Sequence, residues 1–260
     1  MKSLKILSLI LLILFSQKLM SQIHTETIEY KDGDVTLEGY IAYDESMSDI
    51  RPGVLVVHEW TGLNDYSKMR CEMLAKLGYF AFAADIYGKG IRPANYEEAG
   101  KQAGMYKNNR ELLRSRVNAA LTEFKKQKLV NSEKIAAIGY CFGGTTVLEL
   151  GRSGAELQGI VSFHGNLDTP NPEDAKNIKA RILICHGADD PYVPAEQVKA
   201  FEKEMKDAGV NYKFISYEGA VHSFTNPASG NDNSKGASYN ANADKNSWKD
   251  MNDFFSEIFK

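Results

Sequence analysis

Short apolar runs alternate along the chain with stretches in which apolar side chains return every three or four positions. The runs Val54–Val57, Phe80–Ala84, Ile135–Ile138, Ile160–Phe163 and Arg181–Cys185 are nearly uninterrupted. Such runs predict strands buried on both faces, as in a parallel sheet covered by helices. Lys213–Tyr217 predicts a late strand. The alternation over Tyr30–Tyr43, broken at Asp32-Gly33-Asp34, predicts an N-terminal hairpin. Tyr66, Met69, Met73, Leu74 and Leu77 recur at helical spacing, and Gly78 can close that helix. Leu113, Val117, Ala120, Leu121 and Phe124 mark a second helix. Val198, Phe201 and Met205 mark a third, and Trp248, Met251, Phe255 and Ile258 the last. Strands alternating with helices imply βαβ units and a mostly parallel sheet. Gly88–Met105 and Asn226–Asn242 are weak in apolar residues and rich in Gly, Asn, Ser and Pro, so both read as long loops of functional interest.

The first residues follow another pattern. Lys2 and Lys5 precede Ile6–Phe15, which is apolar except for Ser8, and polar residues follow. This is the layout of a secretory signal peptide, predicted over residues 1–21, with cleavage after Ser21 or, alternatively, Ser16. The run is short for a membrane span, so no stable membrane anchor is expected and the mature chain is expected to be exported, to the periplasm or beyond. Residues 22–260 carry no repeat, linker or charge block and read as one domain. The 260-residue chain is 43% hydrophobic and 25% charged, an ordinary globular balance, with a formal charge of −3. Removing residues 1–21 takes out three lysines and leaves 28 basic against 34 acidic side chains, net −6, so no nucleic-acid partner is expected. Three cysteines cannot make a disulfide framework.

The most informative stretch is Ile135-Ala136-Ala137-Ile138-Gly139-Tyr140-Cys141-Phe142-Gly143-Gly144. An apolar strand runs into Gly-x-Cys-x-Gly-Gly, and a helix-like segment follows. This is the nucleophile-elbow pattern with cysteine in place of serine. The sharp turn strains the nucleophile's backbone and leaves no room for side chains at the flanking glycines. The following helix aims its N-terminus at Cys141, which favours a thiolate and a nearby oxyanion. The Phe142 N–H is then a natural oxyanion donor. A buried structural cysteine in a glycine-rich turn is the competing reading; Cys71 and Cys185, on apolar faces, read that way.

The partners come downstream in nucleophile, acid, base order. Asp190 lies in the loop after the Arg181–Cys185 strand, in Gly187-Ala188-Asp189-Asp190-Pro191-Tyr192-Val193-Pro194, and its spacing selects it over Asp189. His222 lies between the last strand and the last helix. His164 reads as structural. After the Val54–Val57 strand, the Trp60 N–H is the expected second oxyanion donor, and Glu59 is an unusual carboxylate at the end of a buried strand. No zinc-ligand spacing or phosphate-cradling loop is present, so no metal or organic cofactor is expected.

These motifs, with His58-Glu59-Trp60-x-Gly62, Ala84-Asp85-Ile86-Tyr87-Gly88 and His222-Ser223-Phe224, make the mature chain resemble the dienelactone hydrolase family. The resemblance implies a single-domain α/β-hydrolase fold and a Cys141–His222–Asp190 triad. It also implies that Glu59 holds the resting thiol and helps form the thiolate when substrate binds. Dienelactone-processing members carry an arginine two residues after the Tyr and another shortly after His-Ser-Phe. Here Lys89 and Asn226 stand in those places, a poorer carboxylate clamp. Lys89, Ser223 and Asn226 are therefore the expected substrate contacts. The implied activity is hydrolysis of a small-molecule carboxylic ester or lactone through a thioester. Two other readings are a secreted, non-catalytic binding protein on a hydrolase fold and a thiol redox sensor, the latter lacking an evident resolving cysteine.

Overall fold

Alternation decides which way each central strand faces. In β3 (Arg51–Val57), Leu55 and Val57 point into one apolar layer while Val54 and Val56 point into another. The computed structural model describes residues 22–260, so the predicted signal peptide lies outside the described residues. Strands β1 (Ile23–Asp32) and β2 (Val35–Asp44) form the expected hairpin, pairing across Gly33 and Asp34. The sheet continues through β4 (Phe80–Ala84), β5 (Val130–Tyr140), β6 (Gly159–Phe163), β7 (Arg181–Gly187) and β8 (Tyr212–Tyr217). Its spatial order is β1-β2-β4-β3-β5-β6-β7-β8. The first two strands run antiparallel to their neighbours, and all pairs from β4 to β8 are parallel.

Helix α1 (Asp65–Lys76) and the last helix, α6 (Ala241–Ile258), cover one face, with Leu74, Met251 and Phe255 buried against Val54, Val56 and Val161. The other face is covered by α2 (Tyr96–Lys107), α3 (Arg110–Phe124), α4 (Phe142–Arg152) and α5 (Ala195–Asp207). Helix α2 corrects the expectation of a loop across Gly88–Met105. Asn95 caps it by accepting the Glu98 N–H, and its buried side is only Ala99, Ala103 and Tyr106, too small an apolar stripe to be legible. Asn226–Asn242 is largely the irregular segment expected, with two short 3₁₀ turns, Pro227–Ser229 and Asn233–Lys235. Among the described residues, no helix is long and apolar enough to cross a membrane.

Behind the sheet, α4 is fixed by charge. Arg152 is fully buried and donates to both oxygens of Glu204 at 2.7 and 2.8 Å, and to Glu149 at 3.0 Å. Arg114 joins Glu149 to Asp174 at 2.7 Å each, so α3, α4, α5 and the Pro172–Asn177 turn share one ion network. The chain steps from β3 outward to β4 and then back across β3 to β5. That reversal opens a crevice at the C-terminal ends of β3 and β5, where ligands bind in open parallel sheets.

Candidate active site

Two loops border the crevice: the β5–α4 turn and the segment after β3. Cys141 occupies the turn itself with φ +53°, a backbone conformation rarely adopted by a residue with a side chain. The glycines around it permit close contact. A Cβ on Gly139 would lie 2.0 Å from the Gly143 carbonyl oxygen, and one on Gly143 would lie 2.2 Å from that of Val57. Without both, α4 could not start directly over the strand ends. As the first residue of α4, Phe142 has no acceptor for its N–H within the helix. The Trp60 N–H likewise has no acceptor among the hydrogen bonds of the described residues. Both amides are free to meet an oxyanion.

The structure brings Cys141, Asp190 and His222 together. His222 Nε2 lies 3.1 Å from Cys141 Sγ, and its Nδ1 lies 2.8 Å from Asp190 Oδ2. The other Asp190 oxygen accepts the Tyr192 N–H at 2.8 Å, fixing the carboxylate, whereas Asp189 is exposed. Burial opposes a charge on His222, but Cys141 and Asp190 outweigh it and push the imidazole up from 6.5 to about 10. Each ring nitrogen of His222 thus has a partner, Cys141 on one side and Asp190 on the other. Cys71 and Cys185 are buried, and burial raises both thiols.

Glu59 departs from what the resemblance implied. Its carboxylate does not hold the thiol: Oε1 accepts from Ser223 Oγ at 3.0 Å and Oε2 from Asn226 Nδ2 at 2.6 Å. Ser223, at φ +58°, brings its hydroxyl to Glu59 and leaves the Cys141 sulfur to His222. Burial raises the Glu59 pKa, opposed by these two donors and by His222 and Arg70. Asn226 is thus a partner of Glu59, and its oxygen caps the next turn through the Ala228 N–H. Lys89 is also corrected as a substrate contact. Its amide is tied to Thr36 of the hairpin and its ammonium pairs with Glu29 on β1, away from the cavity. Of the three expected contacts, only Ser223 lines the cavity.

That cavity, about 790 Å³, opens over Cys141 and His222. Trp60 and Tyr96 stack as one wall with centroids 5.4 Å apart, and Tyr192 stands edge-on to His222 at 5.3 Å. Lys107 and Lys235 are among its lining residues and no Asp or Glu is, although the exposed Lys235 ammonium also lies 3.8 Å from Asp232. Sequence reasoning missed both lysines and Tyr96. Lys107 and Tyr96 belong to the helix that its small apolar face concealed, and Lys235 sits in an irregular turn.

A sequence model of the dienelactone hydrolase family matches residues 37–259. Protein usf of Aquifex pyrophilus is 30% identical over 206 residues, covering 77% of this chain and 87% of that one. A putative carboxymethylenebutenolidase of Aquifex aeolicus is 30% identical over 207 residues, with the same coverage of 77% and 87%. The crystal structure of a dienelactone hydrolase-like promiscuous phosphotriesterase from metagenomic libraries superposes with a TM-score of 0.87 at 40% identity, covering 91% of this chain and 98% of that one.

The raised His222 pKa has a consequence for stability. The folded value lies above the unfolded one, so the His222 proton stabilises the fold fully below about pH 6.5, and that contribution is lost as pH rises through about 10. The melting temperature is expected to fall between about pH 7 and about pH 10, and to fall less in His222→Gln. An equal fall in both proteins would place the linkage elsewhere.

Proposed function

The chain belongs to the dienelactone hydrolase family and is an ester or lactone hydrolase; we propose that it works through a thioester on Cys141, with His222 and Asp190 completing the triad. The observation that carries this reading is the unbroken line Cys141 Sγ–His222–Asp190, with spacings of 3.1 and 2.8 Å. In the first half-reaction the sulfur of Cys141, as thiolate, attacks the substrate carbonyl carbon. The Phe142 and Trp60 N–H groups receive the developing oxyanion; one such donor is worth roughly 3 kcal/mol of barrier. The C–O bond then breaks, and His222 gives its proton to the departing oxygen. Acylation removes the negative charge from sulfur, one of the two charges that hold the His222 proton. The imidazole left behind is thereby suited to take a proton from water, which attacks the thioester and releases the acid and the free thiol. A thiolate is itself a good leaving group, so the intermediate goes forward only when the departing group competes with it: an enol, phenol or thiol rather than an amine.

The cavity narrows the substrate further. Lys107, held at 2.8 Å by Asn166, and Lys235 favour an anionic substrate, and the Trp60–Tyr96 wall favours a flat, conjugated one. We read the substrate as a planar, carboxylate-bearing enol lactone or aryl ester. Residues 1–21 belong to the same proposal as an export signal, which puts the enzyme outside the cytoplasm.

Three measurements test these readings. Cys141→Ala is expected to abolish release of nitrophenol from a short aryl ester while leaving the melting temperature nearly unchanged; equal activity in both proteins would sink the thioester mechanism. Lys107→Ala and Lys235→Ala are expected to raise KM for a carboxylate-bearing aryl ester by up to about fivefold each, and to leave the neutral ester alone. A parallel change for both esters would remove the charge argument. Mass spectrometry of the protein recovered from an expressing bacterium is expected to give an N-terminus at Gln22 or Gln17, and an intact Met1 chain would refute export by cleavage.

A further inference from the structure

His164 follows β6 directly and has no accessible surface. Its φ of +41° makes it, with Cys141 and Ser223, one of three non-glycine residues in the left-handed region among the described residues. Its ring faces the nucleophile's backbone. The Cys141 N–H donates to the Phe163 carbonyl at 3.0 Å and to His164 Nδ1 at 3.1 Å. A ring nitrogen that accepts carries no proton, so in the neutral imidazole the hydrogen sits on Nε2. Nε2 meets Thr225 Oγ1 at 2.7 Å, an acceptor placed to receive it. The Thr225 hydroxyl meets that of Tyr66 at 2.6 Å, and Arg70 fixes the same region by donating to the Thr225 carbonyl at 2.7 Å and to Asp244 at 2.6 Å. Burial, with His222 and Arg70 nearby, lowers the His164 pKa well below its ordinary value, so the ring stays neutral and the tautomer single.

Two consequences follow for the turn. The Cys141 amide is already engaged by two acceptors, so it cannot join the oxyanion donors. Its peptide plane is also held where the strained φ of Cys141 needs it. We propose that His164 is a positioning residue for hydrolysis: its Nδ1 locks the Cys141 amide and thereby sets both the approach of the sulfur to His222 and the direction of the Phe142 N–H. Thr225 enforces the tautomer that makes this lock possible. The inference rests on Cys141 being the nucleophile, which the Cys141→Ala measurement tests separately.

Asparagine and glutamine separate the two ends of the ring. In His164→Asn the amide oxygen occupies the place of Nδ1, and asparagine tolerates positive φ. In His164→Gln the amide reaches toward Thr225 and offers nothing at the Nδ1 position. With an aryl ester, His164→Asn is expected to keep kcat within about threefold of the parent, while His164→Gln and His164→Ala lose about tenfold, the scale of one hydrogen bond, with KM unchanged. The rate at which iodoacetamide alkylates Cys141 is expected to fall in the same order. Melting temperatures are recorded alongside. If activity follows thermal stability, or Asn and Gln lose equally, His164 is packing only and the proposal fails. A reversed order, with Gln active and Asn not, overturns it too. Thr225→Val keeps the ring and removes the acceptor at Nε2, so it reads the same chain should the His164 variants not fold. A drop of about threefold in kcat is expected, on the scale of a weaker indirect hydrogen-bond effect, and an unchanged kcat would overturn the proposal.

Discussion

Helix α4 begins within backbone contact of the strands it covers, and the whole site depends on that approach. The Gly143 Cα stands so close to the Val57 carbonyl that a methyl group there would sit 2.2 Å from its oxygen, and Gly139 meets the Gly143 carbonyl in the same way. Close packing of main chain on main chain leaves Cys141 one course, the left-handed turn at φ +53°. The sulfur is lifted to the mouth of the crevice, and the first amide of α4 is turned toward it. Strain of this kind persists only where surroundings over-determine it. Here they do so from three sides: His164 and Phe163 on the Cys141 amide, β3 beneath the glycines, and the ion network of Arg152 behind α4.

Charge follows from that geometry. His222 is almost wholly enclosed, yet its contacts with Cys141 and Asp190, one on each ring nitrogen, outweigh burial and raise its pKa. Glu59, bonded to the residue next to His222, is treated differently: a hydroxyl and an amide satisfy its oxygens, and burial makes its charge costly. The two loops that carry Glu59 and His222 are therefore tied through Ser223 and Asn226, neither of which needs to be charged. His164 is held neutral first by burial, and then by His222 and Arg70, whose positive charges disfavour a second imidazolium beside them.

The sheet was legible because its central strands are buried on both faces, so Val54–Val57 or Phe80–Ala84 can only be apolar throughout. The order Cys141, Asp190, His222 was legible because each follows the C-terminal end of a strand or its loop, where the fold brings them to one edge. What stayed hidden depends on contacts across the chain. Lys89 looked like a cavity residue by position, but Glu29 and Thr36 of the hairpin draw it off. Glu59 was expected to hold the Cys141 thiol but is bonded to Ser223 and Asn226 instead, a contact that Ser223 makes from a left-handed backbone angle with no signal in the sequence. Lys107 was invisible because its helix presents alanines to the core, and an alanine face carries little periodic signal.

The ion network around Arg152 bears on the solutions in which this frame can hold. Exposed pairs such as Lys101–Glu97 or Lys249–Asp253 are weakened by counterions as ionic strength rises. Arg152, Glu149 and Glu204 have almost no contact with solvent, so counterions cannot come between them. The support beneath Cys141 is therefore insulated from the salinity of its surroundings, while the two cavity lysines are not: brine would screen Lys107 and Lys235 long before it loosened the frame behind them.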